Sequence, residues 1–189
     1  MREPARTQHA ARQRYTRILQ SSLSCLTRAH WFVGPSPSDD ENLSLAVSED
    51  PIGLKRASGR PRLFLSANQL FTIVPDERFE GEWKARTLAY IYSLQLDLEA
   101  VGEGELEVIA WHWHPTTTPD RPDPHVHVRL DHPQLDVTLS KLHIPTARVS
   151  FEEVIRFLVA DFHVEPARDD WQEIVGESET RFKAWRTWS

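Results

Sequence analysis

"ARTLAYIYSLQLDLEAVGEGELEVIAWHWH", residues 85–114, is the stretch from which the fold follows. Two runs of alternating apolar and polar residues flank a glycine-containing turn, which is the pattern of an antiparallel β-hairpin. With the turn centred near Gly102, Leu94 faces Ala110 and Tyr92 faces His112. Because side chains alternate with a period of two, this register predicts that His112 and His114 continue the apolar face of the hairpin.

Further strands are predicted on both sides of this hairpin. Residues 62–74, "RLFLSANQLFTIV", indicate one or two strands around a turn at Asn68, and "HVHVRL" at 125–130 is a returning strand followed by "QLDVTL" at 134–139. Residues 34–62 collect prolines, glycines and charges, which is typical of an irregular connection, with a short strand at 43–47. The strands therefore form an antiparallel meander.

Helices are predicted at both ends of the chain. Residues 5–28 contain neither glycine nor proline, and one apolar stripe recurs there at Tyr15, Ile18, Leu19, Leu23 and Leu26. Ser150 and Glu153 form a capping box that starts a helix reaching about Phe162. A second C-terminal helix starts at Asp169 or Asp170, and its buried stripe contains Trp171, Ile174 or Val175, Phe182 and Trp185.

These elements predict the α+β class, with an antiparallel meander sheet, an N-terminal helix and two C-terminal helices. The predicted organisation is a basic N-terminal helix at 1–30, an irregular linker at 31–61 and a single α+β domain at 62–189.

Composition limits the classes of function. The chain has 189 residues, of which 40% are hydrophobic, and a net charge of -6, which argues against nonspecific nucleic-acid binding as the main role of its surface. Residues 1–30 nevertheless hold six arginines and one acid, Glu3. A basic segment of this kind either contacts an anionic partner or is a solvated helix face. The single cysteine, Cys25, and the lack of an apolar run that would span a bilayer favour the cytoplasm and no membrane association.

The candidate functional residues are two His-X-His pairs. His112 and His114 end the hairpin, and His125 and His127 open the returning strand, so that four of the nine histidines fall within sixteen residues. Period-two spacing places each pair on one face of its strand, and Arg129 follows on the face of His127. We expect the four imidazoles to converge if the two strands are neighbours in the sheet.

Three interpretations of this cluster stay open. In the first, the protein is a metal-independent ribonuclease: two histidines act as base and acid on an RNA phosphodiester while Arg129 holds the phosphate, and no cofactor is needed. In the second, His112, His114, His125 and His127 bind a divalent transition metal such as zinc. In the third, the histidines are ordinary strand residues, and the protein is a noncatalytic interaction module.

Several motifs resemble those of the TumE-like toxins of bacterial toxin–antitoxin pairs. These are small α+β proteins in which a Y-x-Y hairpin leads to a proline-flanked histidine cluster and then to a helix that begins S-[LF]-E-E-V. The counterparts here are Tyr90-Ile91-Tyr92, "PDPHVHV" at 122–128 and "SFEEV" at 150–154, within residues 86–160. The resemblance implies a growth-inhibiting protein that acts on RNA and is neutralised by an antitoxin-like protein partner.

Overall fold

A computed structural model describes residues 5–36, 39–48, 51–96, 107–114, 124–128 and 147–185. These residues form an α+β fold with an N-terminal helix, an antiparallel sheet and two C-terminal helices, as predicted. The helices are α1 (Gln8–Leu23), α2 (Phe151–Ala160) and α3 (Trp171–Trp185). The described strands are β1 (Trp31–Ser36), β2 (Asp39–Val47), β3 (Ile52–Leu54), β4 (Leu63–Pro75), β5 (Trp83–Leu96), β6 (Glu107–Trp113) and β7 (His125–Val128).

All seven described strands belong to one sheet. Its order is β1-β2-β4-β5-β6-β7, with β3 pairing beside β4, and every pairing is antiparallel. The long strands β4 and β5 form its centre. β4 is a single strand, because Asn68 pairs with both Ala46 and Ile91, so the turn expected at Asn68 is wrong.

Residues 31–54 contain three strands of the sheet, whereas only the strand at 43–47, which lies within β2, was expected in this irregular connection. Gly34 and Pro35 belong to β1, which is an edge strand among the described strands. Proline has no N–H to donate, and an edge position tolerates this loss because one side of the strand needs no ladder bond. The presence of Gly34 and Pro35 is therefore why β1 was not predicted.

The hairpin register is one residue away from the predicted one. Tyr92 pairs with Trp111 rather than with His112, and a β-bulge lies between Leu94 and Gln95. A bulge adds one residue to one strand, which the symmetric turn about Gly102 did not include. A shift by one residue exchanges the two faces of a strand, so the histidines lie opposite the face that was predicted.

One sheet face packs against the helices and forms the core. We call it the helical face. Trp31 and Tyr92 both contact the Phe151 ring of α2, with ring centroids 5.1 and 5.5 Å away, and Trp111 meets Phe157 edge-on at 5.3 Å. The opposite face carries Ile91 and the histidines of β6 and β7, and we call it the histidine face.

The helix starts follow the predicted capping chemistry. The Ser150 hydroxyl accepts a hydrogen bond from the Glu153 amide, and the Glu153 carboxylate accepts one from the Ser150 amide, which confirms the capping box. On α3, Val175 and Phe182 are buried. None of the helices in the described part of the chain is long and apolar enough to span a membrane.

Candidate metal centre

The histidines are brought together by the pairing of three strands. Ile91 of β5 pairs with His112 of β6, which in turn pairs with His125 of β7. His127 pairs with Ala110, one row further along the same face. Since residues two apart share a face of a strand, His112, His125 and His127 occupy adjacent positions on the histidine face.

The imidazole rings of these residues are in close contact. The ring centroid of His112 lies 5.3 Å from that of His125 and 4.7 Å from that of His127, and His125 and His127 are 4.9 Å apart. His114 is further out, at 5.7 Å from His112 and 6.4 Å from His125. The predicted convergence of the four histidines is therefore present, although on the other face of the sheet.

Three of the four histidines can present one nitrogen each to a common point. The candidate ligand nitrogens of His112, His125 and His127 all lie within 4.8 Å of one another. Tetrahedral zinc binds nitrogen at about 2.0–2.1 Å, so its ligand nitrogens are about 3.3 Å apart. The nitrogens would have to approach one another by up to about 1.5 Å to bind such an ion.

The three histidines differ in how far they are buried. His112 and His125 are half-buried, whereas His127 is exposed. The Nδ1 atom of His125 is buried and has no hydrogen-bond partner within the described residues. A buried polar atom normally has a partner, and a bound cation is one way to provide it. The cluster is thus open to solvent on the His127 side.

The tryptophans between the histidines hold β6 in place. Trp111 and Trp113 alternate with His112 and His114, and both are buried on the helical face. The Arg148 guanidinium also lies 4.0 Å from the centroid of the Trp113 ring. A strand fixed by two large buried side chains positions the residues of its other face more accurately than a loop does.

The sequence reasoning missed a polar pair close to the histidines. Ser93 pairs with Ala110 and so lies in the same row as His127, and its hydroxyl donates a 2.9 Å hydrogen bond to the Glu107 carboxylate. The signal was available in the alternation of β5, which places Ser93 on the face of Ile91. Arg129, the fifth predicted site residue, lies outside the described residues.

A second polar cluster lies inside the core, where the three helices meet. The Glu152 carboxylate of α2 is fully buried and accepts hydrogen bonds from the hydroxyls of Ser22 on α1 and Ser178 on α3. Burial raises the pKa of Glu152, and the serine hydroxyls only partly counter this effect. This cluster connects the helices and has no access to solvent, so we assign it to stability.

A comparison with protein-family models, curated proteins and solved structures found no match for this chain. The resemblance to the TumE-like toxins, the antitoxin-like partner and the action on RNA stay predictions from the sequence.

Proposed function

We propose that this protein binds a divalent transition metal ion, such as zinc, on the histidine face through His112, His125 and His127. The observation that carries the proposal is the convergence of three imidazole nitrogens to within 4.8 Å of one another. Neutral imidazole is a preferred ligand of zinc, copper, nickel and iron, and three histidines are a common protein ligand set for zinc.

The site has a place for a further ligand. Three protein ligands leave one position of a tetrahedral ion for water, a substrate or an additional side chain. His114 is the nearest described candidate for that position, since its ring lies 5.7 Å from that of His112. Because His127 is exposed, we expect the remaining coordination position to be open to solvent.

The same geometry is less suited to acid–base cleavage of RNA. A base and an acid acting on one phosphodiester need hydrogen bonds of about 2.8 Å on either side of the phosphate group. The three close rings have centroids only 4.7 to 5.3 Å apart, whereas the rings of His114 and His125 are 6.4 Å apart. In the ribonuclease interpretation, the more widely separated pair is therefore better placed to act as base and acid on either side of a phosphate.

Metal binding is tested by elemental analysis and calorimetry on purified protein. We expect chelator-treated protein to take up one zinc ion per chain, and His112→Gln, His125→Gln or His127→Gln to weaken binding by about 100-fold or more, since even outer-shell changes cost 10- to 100-fold. His114→Gln should cost less than about tenfold. The control is His9→Gln, which removes an exposed imidazole on α1.

Two results would contradict the proposal. The first is wild-type protein that binds no zinc, copper or nickel after chelator treatment. The second is a His127→Gln variant that binds the ion as tightly as the His9→Gln control does. Because His127 is exposed, this substitution should leave the fold intact, which a thermal melt of the apoprotein checks.

A further inference from the structure

A second candidate binding site lies at the other end of the sheet, in a groove between α1 and β1. The groove has a volume of about 510 Å³, which is within the range of small-molecule sites. Its polar lining consists of Arg12, Gln13, Thr16, Arg17, Gln20 and His30, and no aspartate or glutamate lines it among the described residues. Trp31 and Val33 form its apolar side.

The segment that forms α1 and β1 is basic. Residues 5–36 contain five arginines and no acidic residue, although the whole chain has a net charge of -6. Arg14 is turned inward and donates a hydrogen bond to the Trp83 carbonyl, whereas Arg12 and Arg17 are exposed at the groove. They are five residues apart, or about 7.5 Å along the helix axis, and both line the same groove.

The wall of the groove is held in place before any ligand binds. The Gln20 side chain donates to the Ala29 carbonyl and accepts from the Trp31 amide, and the Trp31 indole N–H donates to the Leu19 carbonyl. The His30 amide donates a hydrogen bond to the Ser48 hydroxyl. A preorganised wall lowers the entropy cost of binding.

From these observations we infer that the α1–β1 groove binds phosphate groups, as carried by a nucleotide-sized ligand. Guanidinium groups recognise phosphate by bidentate, charge-assisted hydrogen bonds, and Gln13 and His30 add further donors. The groove opens beside β1 on the side of the helical face, while the candidate metal centre lies on β6 and β7 of the opposite face. At about 4.8 Å per strand, β1 and β6 are about 20 Å apart across the sheet, so the two sites are separate.

The inference is tested by amide NMR titration of chelator-treated protein at low salt, with inorganic pyrophosphate, adenosine monophosphate and a single-stranded oligothymidylate. We expect shifts at Gln13, Gln20 and Trp31, and affinity lower by at least about tenfold in the double variant Arg12→Gln/Arg17→Gln. The matched control is Arg28→Gln, which removes an exposed arginine of the same segment outside the groove.

The three probes also identify the source of the phosphate. Tighter binding of the mononucleotide than of the oligonucleotide, per phosphate, supports a small ligand, and the reverse order supports a nucleic-acid backbone that supplies the same groups. Equal loss of affinity in the Arg28→Gln control would show nonspecific attraction and overturn the inference. Binding of polyglutamate in the groove, with no response to the phosphate probes, would overturn it in favour of an acidic peptide. His127→Gln should leave all these results unchanged, which separates them from the metal proposal.

Discussion

The buried Glu152 provides a quantitative test of the core. In Glu152→Gln, the carbonyl oxygen keeps the position of Oε1, which accepts hydrogen bonds from Ser22 and Ser178. The changed atom is Oε2, which is buried and has no partner within the described residues. An unsatisfied buried acceptor costs about 1–3 kcal/mol, and more when it is charged. The amide group that replaces Oε2 also has no partner among the described residues but is uncharged, so the variant avoids only the additional cost of the buried charge, and we expect it to be more stable than the wild type by about 1–2 kcal/mol at pH 8.

The sign of the pH dependence follows from the raised pKa of Glu152. The folded state binds this proton more tightly than the unfolded state, so the contribution to stability is fully present below the unfolded pKa of about 4.3. It is lost as the pH rises through the folded pKa. The stability advantage of Glu152→Gln should therefore grow from near zero at pH 4 to its full value at alkaline pH.

Urea unfolding from pH 4 to pH 8.5 measures this difference. The matched control is Glu80→Gln, an exposed glutamate in the turn before β5, which should change the unfolding free energy by less than about 0.5 kcal/mol at every pH. A Glu152→Gln effect that is constant across this pH range would refute the reasoning, because the carboxyl would then have the same pKa in both states.

Three further predictions concern single side chains. Ser150→Ala removes the N-cap of α2 and should lower the unfolding free energy by about 1 kcal/mol in urea denaturation, whereas Ser150→Asp should retain most of it. Tyr15→Phe removes buried hydrogen bonds to Gln69 and Thr87 and should cost about 1–3 kcal/mol; an unchanged melting temperature would contradict this. Burial raises the pKa of Cys25 to about 11, so a thiol reagent at pH 8 should modify it slowly in folded protein and rapidly in urea.

Local sequence signals predicted the helices and the capping box, because these depend on neighbouring residues. The Ser150–Glu153 pair is a contact between residues three apart, and it forms in the structure as expected. The edge strand β1 was missed, since Gly34 and Pro35 are turn residues in most settings. Their position at the edge of the sheet depends on the tertiary structure and cannot be predicted from local composition.

The sequence predicted which histidines come together, but not the face of the sheet on which they lie. Alternation alone places His112 and His114 together, and strand adjacency brings His125 and His127 to them. Which face they occupy depends on the register, and that is set by a bulge at Val108 of β6, opposite Leu94 and Gln95, which leaves no mark in the sequence pattern. Trp111 and Trp113 alternate with the histidines on β6, and burying these larger apolar side chains in the core is more favourable than burying the histidines.

The packing of α1 against α3 has a consequence during protein synthesis. The Ser22 hydroxyl donates a buried hydrogen bond to the Ser178 hydroxyl, which lies 156 residues later in the sequence. At 5–20 residues per second, a ribosome needs roughly 8–30 s to make the segment between them. During that interval α1 can pack on the strands that are made before α3, as Tyr15 does on Phe71, but the side of α1 that carries Ser22 lacks its final partner.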